Sequence, residues 1–194
     1  MRSFAGLFLS LLAFVCNAQH FERLQGIQLS NLKDKPAYLV SKKDLTVVIF
    51  LGTDCPISQK YMSRIAELKR KYNASATFFG VVPMQFSTQD MKAFKKEYKS
   101  TITYLRDEKM ELAGYLGAKV TPEVFLFKDS DLVYHGAIDN WFYELGKYRR
   151  NITEQYLIDA IESSLKGEEP AIKETEAIGC FIQMPNHSEH MEHH

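Results

Sequence analysis

The chain has 194 residues, 45% hydrophobic and 25% charged, enough for one domain with a true core plus short appendages. Its 24 basic side chains balance its 24 acidic ones, which gives nucleic acid and anionic membranes no electrostatic hold and sets them aside as partners.

In chain order, Arg2 precedes an apolar run over residues 4–15 (FAGLFLSLLAFV), and Cys16, Asn17 and Ala18 lead to Gln19. This pattern predicts a secretory signal peptide over residues 1–18. A lipid anchor at Cys16 is the lesser reading, because Phe14 and Val15 approach such a cysteine poorly. The run is shorter than the about 20 apolar residues that cross a bilayer, and no second run follows, so no membrane span is expected. Cleavage would leave two of the three cysteines, Cys55 and Cys180.

Residues 19–43 read as a lead-in with a short strand near 37–40. Residues 45–51 (LTVVIFL) are continuously apolar and β-branched, as in a strand buried on both faces. Gly52, Thr53, Asp54 and Cys55 follow, and Pro56 then opens a helix in which Ile57, Tyr61, Ile65 and Leu68 recur at helical spacing to about residue 72. Further on, strands are expected at 76–82, 101–105, 124–127 and 132–135, the last two forming a hairpin. Helices are expected at 88–98, 109–116 and 153–165, the last capped by Thr153 and turning Tyr156, Leu157, Ala160, Ile161 and Leu165 inward. This alternation predicts an α/β fold with helices on both faces of the sheet. The expected division is a signal peptide at 1–18, one domain at 19–167, and a polar, extended tail at 168–194 carrying Cys180 and a His-rich end.

Cys55 stands where a buried strand passes into a helix. Backbone N–H groups at a helix N-terminus favour negative charge, so a thiol there is acidified toward thiolate, the form that attacks disulfides and peroxides. Asp54 opposes this as a neighbouring carboxylate, unless it serves as a proton acceptor, a metal ligand or a turn residue capping the helix. Far downstream, Thr121 and Pro122 immediately precede the strand EVFLF, where a proline is tolerated.

VVIFLGTDCPIS, VTPEVFLF and the spacing between them resemble the thioredoxin-like redoxins, the group that includes peroxiredoxin-type AhpC/TSA antioxidant proteins, over roughly residues 22–166. The resemblance implies a thioredoxin-like fold with a central mixed β-sheet, a cis Pro122 against the Cys55 sulfur, and Thr121 lending backbone groups to a bound disulfide. FLGTDCPISQKY, YHGAIDNWF with GKYRR, and ETEAIGCFI look like an exported bacterial subgroup with one cysteine in the first motif and a second in a C-terminal Gly-Cys element. That implies the bacterial periplasm or secretion as location, protein disulfides or peroxides as substrates, and an outside thiol reductant.

The sequence departs from these families at two places. Ser58 stands where thioredoxins have their second cysteine; it is able to hydrogen-bond a Cys55 thiolate but not to release a mixed disulfide. Val48 and Gly52 stand where peroxiredoxins have a proline and a peroxide-binding Thr or Ser, which leaves Thr53 as the substitute. Cys180, in the apolar island IGCFI, is the candidate resolving or bonded partner of Cys55; a free thiol, an intermolecular bond and a metal ligand are its other roles. The expectation is thus a thiol–disulfide oxidoreductase or weak peroxidase without a cofactor, with Cys55 as nucleophile and Cys180, Thr121, Pro122, Thr53 and Ser58 around it. The alternatives are a copper-binding protein, with Cys55, Cys180, His187, His190, His193 and His194 as ligands, or a redox-inert interaction domain.

Overall fold

A computed structural model describes residues 24–129 and 131–184. The stretch expected to be a signal peptide, and His187, His190, His193 and His194, lie outside them.

The described chain runs β1 (Leu29–Asn31), β2 (Pro36–Ala37), β3 (Leu45–Phe50), α1 (Pro56–Lys71), β4 (Ala76–Pro83), α2 (Thr88–Glu97), β5 (Thr103–Asp107) and α3 (Glu111–Leu116). It continues β6 (Val120–Thr121), β7 (Glu123–Lys128), β8 (Asp131–Gly136), β9 (Phe142–Glu144), β10 (Lys147–Tyr148), α4 (Tyr156–Leu165) and β11 (Cys180–Phe181). Every residue of β3 is buried, as its unbroken apolar run predicts. It sits inside the main sheet, ordered β2-β1-β5-β4-β3-β7-β8 among the described residues. β3, β4 and β5 are parallel, whereas β1, β7 and β8 pair antiparallel with their neighbours, so the sheet is mixed.

Alternate residues of each strand face two cores. Val47, Ile49, Phe78, Val82 and Leu126 pack under α1, α2 and α4 through Ile65, Met91, Phe94, Leu157 and Ile161. Val48, Phe50, Phe79, Val81 and Phe125 pack on the other side with Leu24, Leu29 and Leu112 of α3. Helices therefore cover both faces.

Some expectations need correcting. Thr153 does not cap α4, which begins after Gln155; its hydroxyl instead accepts from Asn140 Nδ2 at 2.8 Å. Leu165 is exposed, and Ser164 takes the inward place on that turn. β5 starts two residues later than expected, and the strand expected near 37–40 is β2. β1, β6, β9, β10 and β11 were not foreseen. After Gly167 the tail runs back along β8. Thr175 N–H donates to His135 O, and Thr175 Oγ1 lies 2.6 Å from Tyr134 Oη and accepts from Ala137 N–H at 3.0 Å. Gly136, at φ 125°, brings the two backbones together: a Cβ there would fall 2.0 Å from Thr175 O.

Candidate active site at Cys55 and Cys180

After β3 the backbone leaves the sheet at Leu51, turns through Gly52, and enters α1 with Cys55 as N-cap and Pro56 in the first turn. Proline costs nothing there, because the first helical N–H groups have no intrahelical acceptor. No side chain caps this end, and Asp54 is an exposed residue outside the helix, not its cap. The N-terminus of the 16-residue α1 thus begins at Cys55, a position where the helix favours a thiolate.

Two neighbours hold the turn. Gly52 N–H donates to Ser58 Oγ at 3.3 Å, and Gln59 Nε2 donates to Thr53 O at 3.1 Å. Ser58, fully buried, braces the loop from inside while the sulfur is engaged elsewhere; Thr53 is half-buried and takes part through its carbonyl. A Cβ on Gly52 would sit 2.8 Å from Thr121 Oγ1 and 3.0 Å from Cys55 Cβ. The absence of a side chain lets the second strand pair come close.

That second side is β6 and the bond after it. Thr121–Pro122 is cis, and Thr121 O lies 3.0 Å from Cys55 Sγ. The buried Glu123 carboxylate accepts from Lys119 N–H at 2.7 Å and Val120 N–H at 3.3 Å, fixing the backbone that leads into the turn.

The tail closes the site. β11 pairs antiparallel with β6, Cys180 opposite Thr121 and Phe181 opposite Val120. Cys55 and Cys180 form a disulfide across 125 residues, with their Cα atoms 6.0 Å apart. Ile182 N–H donates to Lys119 O at 2.9 Å, and its side chain is buried in the core on the α3 side. Of the predicted residues, Cys55, Cys180 and Thr121 meet directly, Pro122 follows Thr121 across the cis bond, and Ser58 and Thr53 stand one step back. Gly52 and Gly179 were missed as site residues. Gly52 was marked only by its departure from the peroxiredoxin pattern, and Gly179 only by its adjacency to Cys180.

The stretches YHGAIDNWF and GKYRR fall elsewhere. His135 is a strand residue stacked on Phe125 and 3.7 Å from Glu174. Trp141 packs edge-on against Tyr61, and Arg149 lies over Tyr143 beside the β9–β10 hairpin. Asp139, buried, accepts from Tyr61 Oη at 2.7 Å and pairs with Arg64 at 2.6 Å, locking α1 to the loop before that hairpin. Burial and the Asp139 charge push the Tyr61 phenol far above its ordinary range, so it stays a donor. Among the described residues no three of His, Cys, Asp and Glu gather as a metal site.

Comparison with known proteins agrees with this architecture. A hypothetical protein of Sinorhizobium meliloti superposes with a TM-score of 0.72 at 23% identity, over 82% of this chain and 91% of that one. An uncharacterised conserved protein of Geobacillus kaustophilus gives 0.71 at 24%, over 82% and 88%. A secreted disulfide oxidoreductase of Mycobacterium tuberculosis gives 0.51 at 20%, over 57% and 82%. No curated protein matches in sequence. The fold is thioredoxin-like, and with residues 17–135 matching its family model the chain belongs to the AhpC/TSA family.

Proposed function

We propose that the chain is an exported thiol–disulfide oxidoreductase in which Cys55 is the nucleophile and Cys180 resolves. The observation that carries this is the Cys55–Cys180 bond itself, made at a helix N-terminus and beside Thr121 O. In the reduced chain the Cys55 thiolate attacks a substrate disulfide, and the first substrate sulfur leaves as a thiolate. Cys180, as thiolate, then attacks the Cys55 sulfur of the mixed disulfide. The second substrate sulfur leaves, and the Cys55–Cys180 bond forms. Two electrons pass to the substrate, and an outside dithiol restores them. Peroxide reduction is the weaker reading, because the close approach of Thr121 at Gly52 excludes a side chain where peroxiredoxins carry theirs. Export rests on the pattern of residues 1–18 and suits a compartment where disulfides persist.

The test is thiol mapping. The reduced chain is mixed with one equivalent of oxidised glutathione or of hydrogen peroxide, quenched by alkylation at timed intervals, and digested for mass analysis. Fast formation of the Cys55–Cys180 pair by the disulfide, with peroxide slower, supports the reading. Alkylation of both cysteines at all times would overturn it.

A further inference from the structure

We infer that the substrate cysteine this site accepts is one preceded by glycine, and that the acceptor edge is the one Gly179–Phe181 now occupies. The inference rests on the oxidoreductase reading and names its substrate class.

Among the described residues β6 pairs with β11 alone, so when the tail leaves, the backbone groups on this edge that bond to it, Lys119 O among them, lose those partners. Such groups recruit another strand. A substrate joined to Cys55 must bring its sulfur where the Cys180 sulfur now lies, since the Cys55 side chain is 1% exposed and walled by Thr121 O at 3.0 Å. Its backbone therefore follows the path of β11. On that path the residue before the cysteine meets Thr121 backbone to backbone. A Cβ at Gly179 would lie 2.3 Å from Thr121 O and 2.6 Å from Thr121 C, far inside van der Waals contact. The obstacle is main chain, held on the other side by the Glu123 carboxylate through Lys119 and Val120, so it yields poorly. The φ of Gly179 lies outside the left-handed region. Space alone selects glycine here. The residue after the cysteine is free to be large, since Phe181 points outward and is 78% exposed.

The tail and the substrate claim the same edge. The mixed disulfide with Cys55 thus persists until the substrate strand peels away and Gly179–Phe181 returns.

The experiment uses the full chain carrying Cys180→Ser, reduced, and three peptides, Ala-Ile-Gly-Cys-Phe-Ile and its Ala-Cys and Val-Cys counterparts. Each peptide cysteine is activated as a mixed disulfide with thionitrobenzoate. Attack of the Cys55 thiolate on the peptide sulfur forms the Cys55–peptide disulfide and releases coloured thionitrobenzoate, and mass mapping places the adduct. The Gly-Cys peptide should react about tenfold or more faster than the Val-Cys peptide, with Ala-Cys between them. Rates within about twofold of one another across the three would overturn the inference. Reaction of Cys55 with none of them would take down the oxidoreductase reading with it. The reduced unsubstituted chain, assayed at early times with the same peptides, gives the same ranking if the variant fails to fold.

Discussion

A thiol approaching the Cys55–Cys180 bond meets two sulfurs in different surroundings. Cys55 is 1% exposed under Thr121 O, whereas Cys180 is half-buried and borders an opening shared with Asp54, Phe86 and Phe181. Attack at Cys180 also releases Cys55 as the thiolate, the form the helix N-terminus stabilises. A small monothiol added to the oxidised chain should therefore be found first on Cys180, with Cys55 captured by alkylation; an early adduct on Cys55 would contradict this. Cys55 and Pro122 were legible because each sits at the end of a strong apolar strand, where a thiol or a proline needs a reason. Gly52 was legible only as a departure from the peroxiredoxin pattern. Its reason, the Thr121 hydroxyl beside it, is a contact across 69 positions that no local pattern encodes. Replacing Gly52 by Thr should accordingly restore no peroxidase activity, and should cost about 1–3 kcal/mol through forced overpacking, read as a lower denaturation midpoint.

At the scale of elements, the tail is fastened at two points, Thr175 on β8 and Gly179–Ile182 on β6. The first does not involve the disulfide, and in the reduced chain it would keep Cys180 within reach of Cys55. Gly136→Ala attacks that fastening, since its Cβ would meet Thr175 O at 2.0 Å, and its φ of 125° is one that L side chains rarely adopt. The expected result is a several-fold slower closure of the Cys55–Cys180 pair with Cys55 alkylation by a small reagent in the reduced chain unaltered. Equal closure rates would mean the tail finds β6 without help. Strands of two or three residues such as β6, β9, β10 and β11 have no room to show a period of two. Their existence is decided by a partner distant in sequence, so they were unreadable where β3 and β4 were plain. The apolar island around Cys180 was the visible trace of docking. Its register against Val120 and Thr121 was not.

At the scale of the whole molecule, acid stability bears the mark of Asp107. This carboxylate is fully buried at the end of β5, where one oxygen accepts from Ala113 N–H at 2.8 Å and the other has no hydrogen-bond partner among the described residues. Desolvation raises its pKa, although hydrogen bonds from the start of α3 oppose the shift. A carboxyl with a higher pKa folded than unfolded binds more protons when folded. Its contribution is complete below the ordinary carboxylate value and is lost as pH rises through the raised one. Asp107→Asn should flatten that part of the stability–pH curve and leave neutral-pH stability equal or higher, measured by urea unfolding across the acid range. An unchanged pH slope would show that Asp107 ionises as freely in the fold as outside it. The architecture was legible at this scale because the alternation of buried strands with amphipathic helices admits few topologies.

The disulfide poses a whole-molecule question, whether it is a staple or a working pair. Closing a loop across 125 residues removes unfolded-state entropy of about 5 kcal/mol in the loop model. For a domain of this size that corresponds to a fall in Tm of about 10–20 °C on reduction. A working pair tolerates this only if the reduced chain remains folded, because the Cys55 thiolate must present itself on an intact helix N-terminus. Two separate cores, the Asp139–Arg64 pair joining α1 to the loop at residues 137–141, and the Thr175 fastening are all holds other than the bond. The reduced chain should thus melt cooperatively at the lower temperature, with its helical circular dichroism at 25 °C unchanged. Cys55→Ser and Cys180→Ser should match it within about 1 kcal/mol of each other, since both lose the same loop constraint. A reduced chain already unfolded at 25 °C would make the bond a staple and remove Cys55 from catalysis. A folded one leaves it free to open and close in each cycle.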